Sequence, residues 1–214
     1  MNNPSILPVR KAFIKFLGAD ILFQMQKYTS YFIGIPLPEK HQEKFETLLK
    51  ELFHINSEFE ATYQNTPHIT VFYLDKQSQF NLPEIAEQVK SKLTIFKNAE
   101  ITVEGSGYFV GNNQRVVFLN IAYPDSLREF NGAIAQTLIK FTAADSDLPF
   151  HPHMTIGKIR TANTQESEKG ALLDLERKIN QVHWTFPIEE IALYGVDSTK
   201  KPEHQEKIIV FTVK

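Results

Sequence analysis

The sequence predicts an α+β protein with two lobes related by a pseudo-twofold axis, each a largely antiparallel sheet with outer helices. Three observations predict this fold class. Short apolar runs typical of strands alternate with segments that have apolar residues at helical spacing. The order of these segments in the first half of the chain recurs in the second half. Each half also carries one copy of the motif Pro-His-apolar-Thr-apolar, at 67–71 and at 152–156.

The first repeat unit is predicted from its apolar spacing and its prolines. An apolar strand stops at Pro36, and the segment that follows has Phe45, Leu48 and Leu52 at helical spacing. Pro83 stands at a position that is favourable in the first turn of a helix. The predicted elements are a strand over 31–35, a helix over 39–53, the first motif strand over 66–74, a helix over 83–93 and a strand over 99–104.

The second repeat unit has the same order and similar spacing, so each unit is expected to form one lobe. From Pro124 to His153 is 29 residues, against 32 from Pro36 to His68. A polar, solvated loop is expected over 166–169. The predicted elements are a strand over 116–121, a helix over 126–141, the second motif strand over 151–159, a helix over 171–179 and a strand over 188–196. Extra strands are expected over 107–110 and 207–213, and turns or loops over 105–107, 111–113 and 197–206.

Composition limits the classes of function. The chain has 214 residues, of which 42% are apolar and 22% charged, as is ordinary for a globular protein. Its net charge of -2 argues against extended, non-specific nucleic-acid binding. The absence of cysteine excludes disulfides, thiol nucleophiles and cysteine-based zinc sites. No apolar run reaches the length of a membrane span, so no membrane partner is expected. The lack of cysteine fits a cytoplasmic protein, and a monomer is expected.

Residues 1–29 precede the first repeat unit. Their apolar stretches are short and interrupted by charged residues, among them Arg10, Lys15 and Asp20, so a signal peptide is not expected. We predict instead an added helix or arm that packs on the domain. The rest of the chain, 30–214, is predicted to form a single bilobal domain.

The two motifs place the same chemical groups at equivalent positions. Side chains alternate across a strand, so His68 should share a face with Thr70, and His153 should share a face with Thr155. The apolar residues between and after them then point into a core. Imidazole titrates near neutral pH, and a hydroxyl can donate hydrogen bonds to phosphate oxygens. Two of each suit general acid–base chemistry on a phosphate ester.

The two motifs, 85 residues apart, resemble the signature of the 2H phosphoesterases. That family includes the RNA 2′,3′-cyclic phosphodiesterases, also called 2′-5′ RNA ligase-like proteins. The strand, proline and helix over 31–53 also resemble the family's opening, and the resemblance covers about 30–214. It implies a bilobal fold with an active-site cleft between the lobes, where the two histidines and two threonines converge. It further implies an enzyme that needs no metal and no cofactor.

The expected function is hydrolysis of the 2′,3′-cyclic phosphate of RNA ends or nucleotides, or of 2′-5′ linkages, with ligation as the reverse reaction. His68 and His153 are the expected catalytic acid and base, in either order, and Thr70 and Thr155 are expected to bind the substrate phosphate. Two alternatives stay open. One is a 2H enzyme for a cyclic oligonucleotide or another phosphoester, and the other is a nucleotide- or RNA-binding module on the same fold without catalysis.

Other side chains are candidates for contacts with the substrate. Nucleobases stack on aromatic faces, and a cation can pair with phosphate. His151 and His153 form a His-x-His pair, but no third ligand lies at useful spacing, so no metal site is expected. The stacking candidates are Tyr73, Tyr108, Phe109, Phe150 and Tyr194, and the phosphate candidates are Lys158 and Arg115.

Overall fold

The computed structural model describes residues 28–62, 67–111, 114–122, 124–142, 149–160, 166–200 and 203–213. The helix or arm predicted over 1–29 lies outside this part of the chain, except for Tyr28 and Thr29. Tyr28 is buried and its ring meets that of Tyr31 edge to face, with centroids 5.8 Å apart. The backbone N–H of Thr29 donates to the carbonyl of Val196. These two residues are therefore part of the folded domain.

Nine strands and four α-helices lie within the described residues, together with four short 3-10 helices. The strands are β1 (Ser30–Pro36), β2 (Phe59–Ala61), β3 (His68–Leu74), β4 (Glu100–Gly111), β5 (Gln114–Ala122), β6 (His153–Arg160), β7 (His183–Pro187), β8 (Glu190–Asp197) and β9 (His204–Thr212). The α-helices are α1 (Gln42–Ile55), α2 (Leu82–Lys90), α3 (Asp125–Leu138) and α4 (Glu166–Ile179). The 3-10 helices are Glu39–His41, Lys76–Asn81, Leu93–Phe96 and Ile139–Phe141. None of these helices is long and apolar enough to cross a membrane.

The strands form two antiparallel sheets. Sheet A has the order β3-β1-β8-β9, and sheet B has the order β2-β6-β5-β4-β7. Three strands of sheet A correspond to three strands of sheet B. β1 and β5 are the first strands of the two repeat units, β3 and β6 the second, and β4 and β8 the third. The orders β3-β1-β8 and β6-β5-β4 are therefore equivalent. The α+β class with two lobes is confirmed.

The lobes are not the two halves of the chain, so the prediction of one lobe for each repeat unit is wrong. The third strand of the first unit, β4, pairs with β5 in sheet B. The third strand of the second unit, β8, pairs with β1 in sheet A. Each unit thus contributes one strand to the sheet of the other. Neither sheet can form from one unit alone, which ties the folding of the two lobes together.

Several predicted boundaries also differ. β4 runs continuously through 105–107, predicted as a turn, because Gly105 adopts a φ of 75° and absorbs a register shift between Val103 and Ser106. Such a bulge bends a strand without ending it. The polar residues 166–169 lie in α4 rather than in a loop. β2 and β7 were not predicted, and β9 begins within the loop predicted over 197–206.

The main core contains the apolar face of each helix and one face of each sheet. α1 buries Phe45, Leu48, Leu49 and Leu52, and α3 buries an equivalent stripe, as their helical spacing predicts. The apolar residues of the motifs are buried too, with exposures of 2% or less: Ile69, Val71, Met154 and Ile156. A second, small cluster lies apart from this core and contains Phe32, Ala192, Tyr194 and Val196.

His41 couples folding to pH in this core. It is buried beside Phe186 and Trp184, with ring centroids 5.4 and 6.3 Å away, and its Nδ1 has no hydrogen-bond partner among the described residues. Burial, with nearby Lys44 and Lys40, lowers its pKa. The unfolded chain therefore binds a proton more readily than the native state as the pH falls below about 7. Acidification should then lower the free energy of unfolding.

Replacing His41 with leucine removes this titration and keeps a side chain of similar apolar bulk. We expect the thermal midpoint of His41→Leu to fall less than that of the wild type between about pH 7.5 and about pH 5.5. Thermal unfolding followed by circular dichroism at both pH values measures the two slopes. Equal slopes would show that His41 does not take up a proton on unfolding.

Candidate active site

Two strands position the predicted catalytic residues. His68 is the first residue of β3, and His153 is the first residue of β6. Each follows a buried proline, which has no N–H to donate and is tolerated immediately before a strand. β3 and β6 belong to different sheets, but their backbones approach each other. The two histidines therefore begin neighbouring strands of the two lobes, at equivalent positions.

A bulge in β3 decides which side chains share the face of His68. In the pairing with β1, Val71 has no opposite residue, because the register shifts between Thr70 and Phe72. One extra residue reverses the alternation of side chains beyond it. Tyr73 therefore lies on the same face of sheet A as His68 and Thr70, and it is 58% exposed. We call this the His68 face.

β6 carries the same bulge at the equivalent place. Ile156 has no opposite residue in β5, because the register shifts between Thr155 and Gly157. Lys158 consequently lies on the same face of sheet B as His153 and Thr155, which we call the His153 face. In both lobes the side chains two and five residues after the histidine thus point the same way as the histidine. Without a bulge, alternation would place the fourth residue after the histidine on this face, in place of the fifth.

Aromatic rings hold His68 in place. Its ring stacks on Phe32 with centroids 4.5 Å apart, and Phe32 stacks in turn on Tyr194 at 4.5 Å. Tyr194 also lies 5.2 Å from His68 and is fully buried. The structure thus brings Tyr194 to His68, but behind it, with no exposed ring for a base to stack on. The Tyr73 ring also neighbours Phe32, with centroids 6.3 Å apart, and unlike Tyr194 it is accessible.

His153 is held by two rings and one hydrogen bond. Phe109 and Phe118 each lie 5.0 Å from its ring centroid. Its Nδ1 lies 2.8 Å from the backbone oxygen of His151. A carbonyl only accepts, so Nδ1 carries the proton in the neutral ring and Nε2 is left to exchange one. Burial lowers the pKa of His153, and the imidazole of His151 lowers it further, against the opposing effect of this hydrogen bond.

Lys158 has a carboxylate partner. Its Nζ lies 3.3 Å from Glu60 of β2, and Arg160 contacts the same carboxylate at 2.8 Å. The two cations keep the pKa of Glu60 below its ordinary value, with the hydrogen bond from Lys158 as the largest cause. Lys158 therefore stands on the His153 face with its charge already balanced in part.

The structure does not bring Tyr108 and Arg115 to the His153 face. Tyr108 is paired with Val117, and Arg115 with Ile159, on the opposite side of sheet B. There the guanidinium of Arg115 lies 4.9 Å above the Tyr108 ring, and both line a cavity of about 240 Å³ next to α4. Strand alternation alone separates them from His153. Phe150, the last candidate, is half-buried against the main core.

Sequence reasoning missed two residues that frame the histidines. Phe32 and Phe118 lie in the apolar runs predicted as strands and are not among the candidates, although each packs against a histidine ring. Phe32 lies opposite Tyr73, and Phe118 lies opposite Thr155. Knowledge of this strand register would have placed both rings beside the histidines, but the register depends on bulges that the motifs do not encode.

Comparison with known proteins bears on this arrangement. The family model of the 2′-5′ RNA ligase superfamily matches residues 38–200, which include both motifs. An RNA 2′,3′-cyclic phosphodiesterase of Thermotoga maritima is 26% identical over 132 residues, 60% of this chain and 69% of that protein.

Solved structures share the fold. The protein TT0787 of Thermus thermophilus has 17% identity and a TM-score of 0.64, covering 86% of this chain and 97% of that one. E. coli LigT complexed with NADP+ has 15% identity and a TM-score of 0.63, covering 87% and 98%. At these identities the likeness concerns the fold. The family model, however, spans most of the chain. Because of this match, the chain belongs to the 2′-5′ RNA ligase superfamily.

Proposed function

We propose that the protein hydrolyses the 2′,3′-cyclic phosphate of RNA ends or nucleotides, or 2′-5′ linkages, with His68 and His153 as its acid and base. One observation carries the proposal: the two histidines, each with a threonine on its own face, begin equivalent bulged strands of adjoining lobes. The superfamily and the T. maritima phosphodiesterase support the reaction class. E. coli LigT, which has been solved with 3′-AMP, supports a nucleotide as substrate.

We assign the base to His153. Its lowered pKa favours the neutral ring near pH 7, and the His151 carbonyl fixes the tautomer in which Nε2 can accept a proton. Nε2 takes a proton from water as the water oxygen attacks phosphorus. The bond from phosphorus to one ribose oxygen breaks, and His68 in its protonated form gives a proton to that oxygen. The product is a monoester, and solvent exchange restores both rings.

The remaining side chains bind rather than exchange protons. Thr70 and Thr155 are half-buried and can donate hydroxyl hydrogen bonds to the non-bridging oxygens, where negative charge grows in the transition state. Lys158 can pair with the same phosphate by sharing or leaving Glu60. Tyr73 offers an exposed ring to a nucleobase.

A binding module without catalysis is the second candidate. Such a module could use the threonines and Tyr73 in the same way. It would have no use for a histidine whose tautomer is fixed by a backbone carbonyl and whose pKa keeps a proton acceptor free. This feature of His153 favours the enzyme. A monomeric state, a cytoplasmic location and the separate N-terminal segment stay predictions.

The test is a panel of substrates with the purified protein and EDTA. It contains nucleoside 2′,3′-cyclic phosphates, an oligonucleotide with a cyclic phosphate end, a 2′-5′-linked dinucleotide and a cyclic oligonucleotide. Mass spectrometry follows the addition of water. We expect turnover of a cyclic phosphate or a 2′-5′ linkage at the same rate with and without EDTA. Binding of cyclic nucleotides without product would favour the binding module, and loss of turnover in EDTA would contradict the metal-free mechanism.

A further inference from the structure

The bulge in β3 is held from outside sheet A. Val71, the extra residue, has its carbonyl bonded by the side-chain amide of Asn131, with Nδ2 2.8 Å from the oxygen. Asn131 lies on α3, 60 residues away in sequence, and is half-buried. A buried carbonyl without a donor costs free energy, so this bond favours the bulged register.

The equivalent bulge in β6 has a different support. The carbonyl of Ile156 accepts a hydrogen bond from the backbone N–H of Thr62, at 3.0 Å. A backbone donor is present whatever the side chain is. In the first lobe the donor to the bulge carbonyl is instead a side chain, so its presence depends on the identity of residue 131.

The end of β3 is also hydrogen-bonded to the segment that follows α3. The backbone N–H of Asp75, just beyond the strand, donates to the carbonyl of Phe141 at 3.0 Å. The hydroxyl of Ser78, which is fully buried, donates to the same carbonyl at 2.9 Å. Only a short stretch of strand lies between the Asn131 bond and these anchors. That stretch contains Tyr73. The presence or absence of the bulge decides on which face of sheet A the Tyr73 side chain lies.

We propose that Asn131 is a positioning residue for Tyr73. By holding the bulge at Val71, it keeps the tyrosine ring on the His68 face, and it thereby sets the preference for substrates that carry a nucleobase. Without the bulge, plain alternation would turn Phe72 toward this face and Tyr73 away from it. The inference rests on the proposed function for its effect on specificity, but the structural part can be tested separately.

The kinetic test uses Asn131→Asp, which keeps the shape of the side chain but removes the donor. Gln136→Glu is its matched control, since it adds the same charge at an exposed position of α3. The substrates are adenosine 2′,3′-cyclic phosphate and ribose 2′,3′-cyclic phosphate, which has no base. For Asn131→Asp we expect KM to rise about tenfold with the adenosine substrate, within the range that one base–aromatic stack contributes. KM for the ribose substrate should change less than about twofold, and the control should match the wild type for both.

Two further comparisons separate positioning from a general structural effect. Tyr73→Leu should show the same dependence on the base, and Asn131→Asp should add no further loss in the Tyr73→Leu background. An equal loss of kcat/KM with both substrates would overturn the proposal. So would additive losses in the double variant.

The structural test does not depend on activity. Cross-strand NOEs from Ile33 should reach Phe72 in the wild type, as in the observed register, and should weaken or move to Val71 in Asn131→Asp. Unchanged NOEs would overturn the proposal whichever substrate the enzyme uses. If the wild type hydrolyses neither these two substrates nor any other cyclic phosphate or 2′-5′ linkage in the substrate panel, the proposed function fails, and the NOEs still decide whether Asn131 holds the bulge.

Discussion

Replacing either His68 or His153 with alanine should lower kcat for cyclic phosphate hydrolysis by about 10²–10⁴-fold, the usual contribution of one acid or base. The expected loss is large for both because water cannot attack without a base, and the ribose oxygen leaves poorly without an acid. Steady-state kinetics of each variant, with thermal unfolding as a check on folding, measures the effect. His54→Ala is the matched control, since His54 is exposed on α1 and belongs to neither motif. Wild-type kcat in either motif variant would rule out the two-histidine mechanism.

The pH profile distinguishes the two roles. With a base and an acid both present, kcat/KM should be bell-shaped. The rising limb belongs to the base, and its midpoint should lie below the ordinary histidine pKa if that base is His153, because burial lowers its pKa. Residual activity of His68→Ala should keep the rising limb, and that of His153→Ala should keep the falling limb. The opposite pattern would exchange the two roles.

The motifs predict the catalytic quartet because the information is local. His68 and Thr70 are two residues apart, so strand alternation alone places them on one face, and the same holds for His153 and Thr155. Beyond the third residue after each histidine, where the bulge lies, alternation no longer predicts on which face a side chain lies. Tyr73 reaches the His68 face only through a bulge held by Asn131, and no local pattern near Tyr73 reports a residue in α3.

The exchange of strands was not predicted for a related reason. Apolar spacing indicates that 99–104 and 188–196 are strands, but it does not say which strand each will pair with. β4 and β8 have the expected conformation and lie in the opposite sheets. Tyr108 illustrates the consequence for function, because its aromatic character fits a stacking role while its register in β4 puts it on the wrong side of sheet B.

Gly157 connects the second motif to the stability of the fold. A Cβ at this position would lie 2.5 Å from two ring carbons of Phe59 and 2.6 Å from the backbone oxygen of Glu60. The second contact is with the backbone of β2, so the clash cannot be relieved by a side-chain rotation. Gly157→Ala must therefore move β2 away from β6. We expect a loss of at least about 2 kcal/mol in the free energy of unfolding, as for other overpacked cores.

Gly132→Ala provides the matched control. Gly132 lies on α3, and nothing stands within 4 Å of a Cβ placed there. Because alanine is a better helix former than glycine, this variant should gain up to about 1 kcal/mol. Urea denaturation of both variants and the wild type measures the difference. A Gly157→Ala protein as stable as the wild type would mean that β2 does not pack against β6 as closely as observed.

The same substitution should affect catalysis through β2. Thr62, just beyond β2, donates the hydrogen bond that supports the bulge at Ile156, and Glu60 holds Lys158. Displacing β2 therefore disturbs both the bulge and the cation on the His153 face. Gly157→Ala should lose kcat/KM even under conditions where it is fully folded, whereas Gly132→Ala should not. Full activity of folded Gly157→Ala would indicate that the His153 face does not depend on β2.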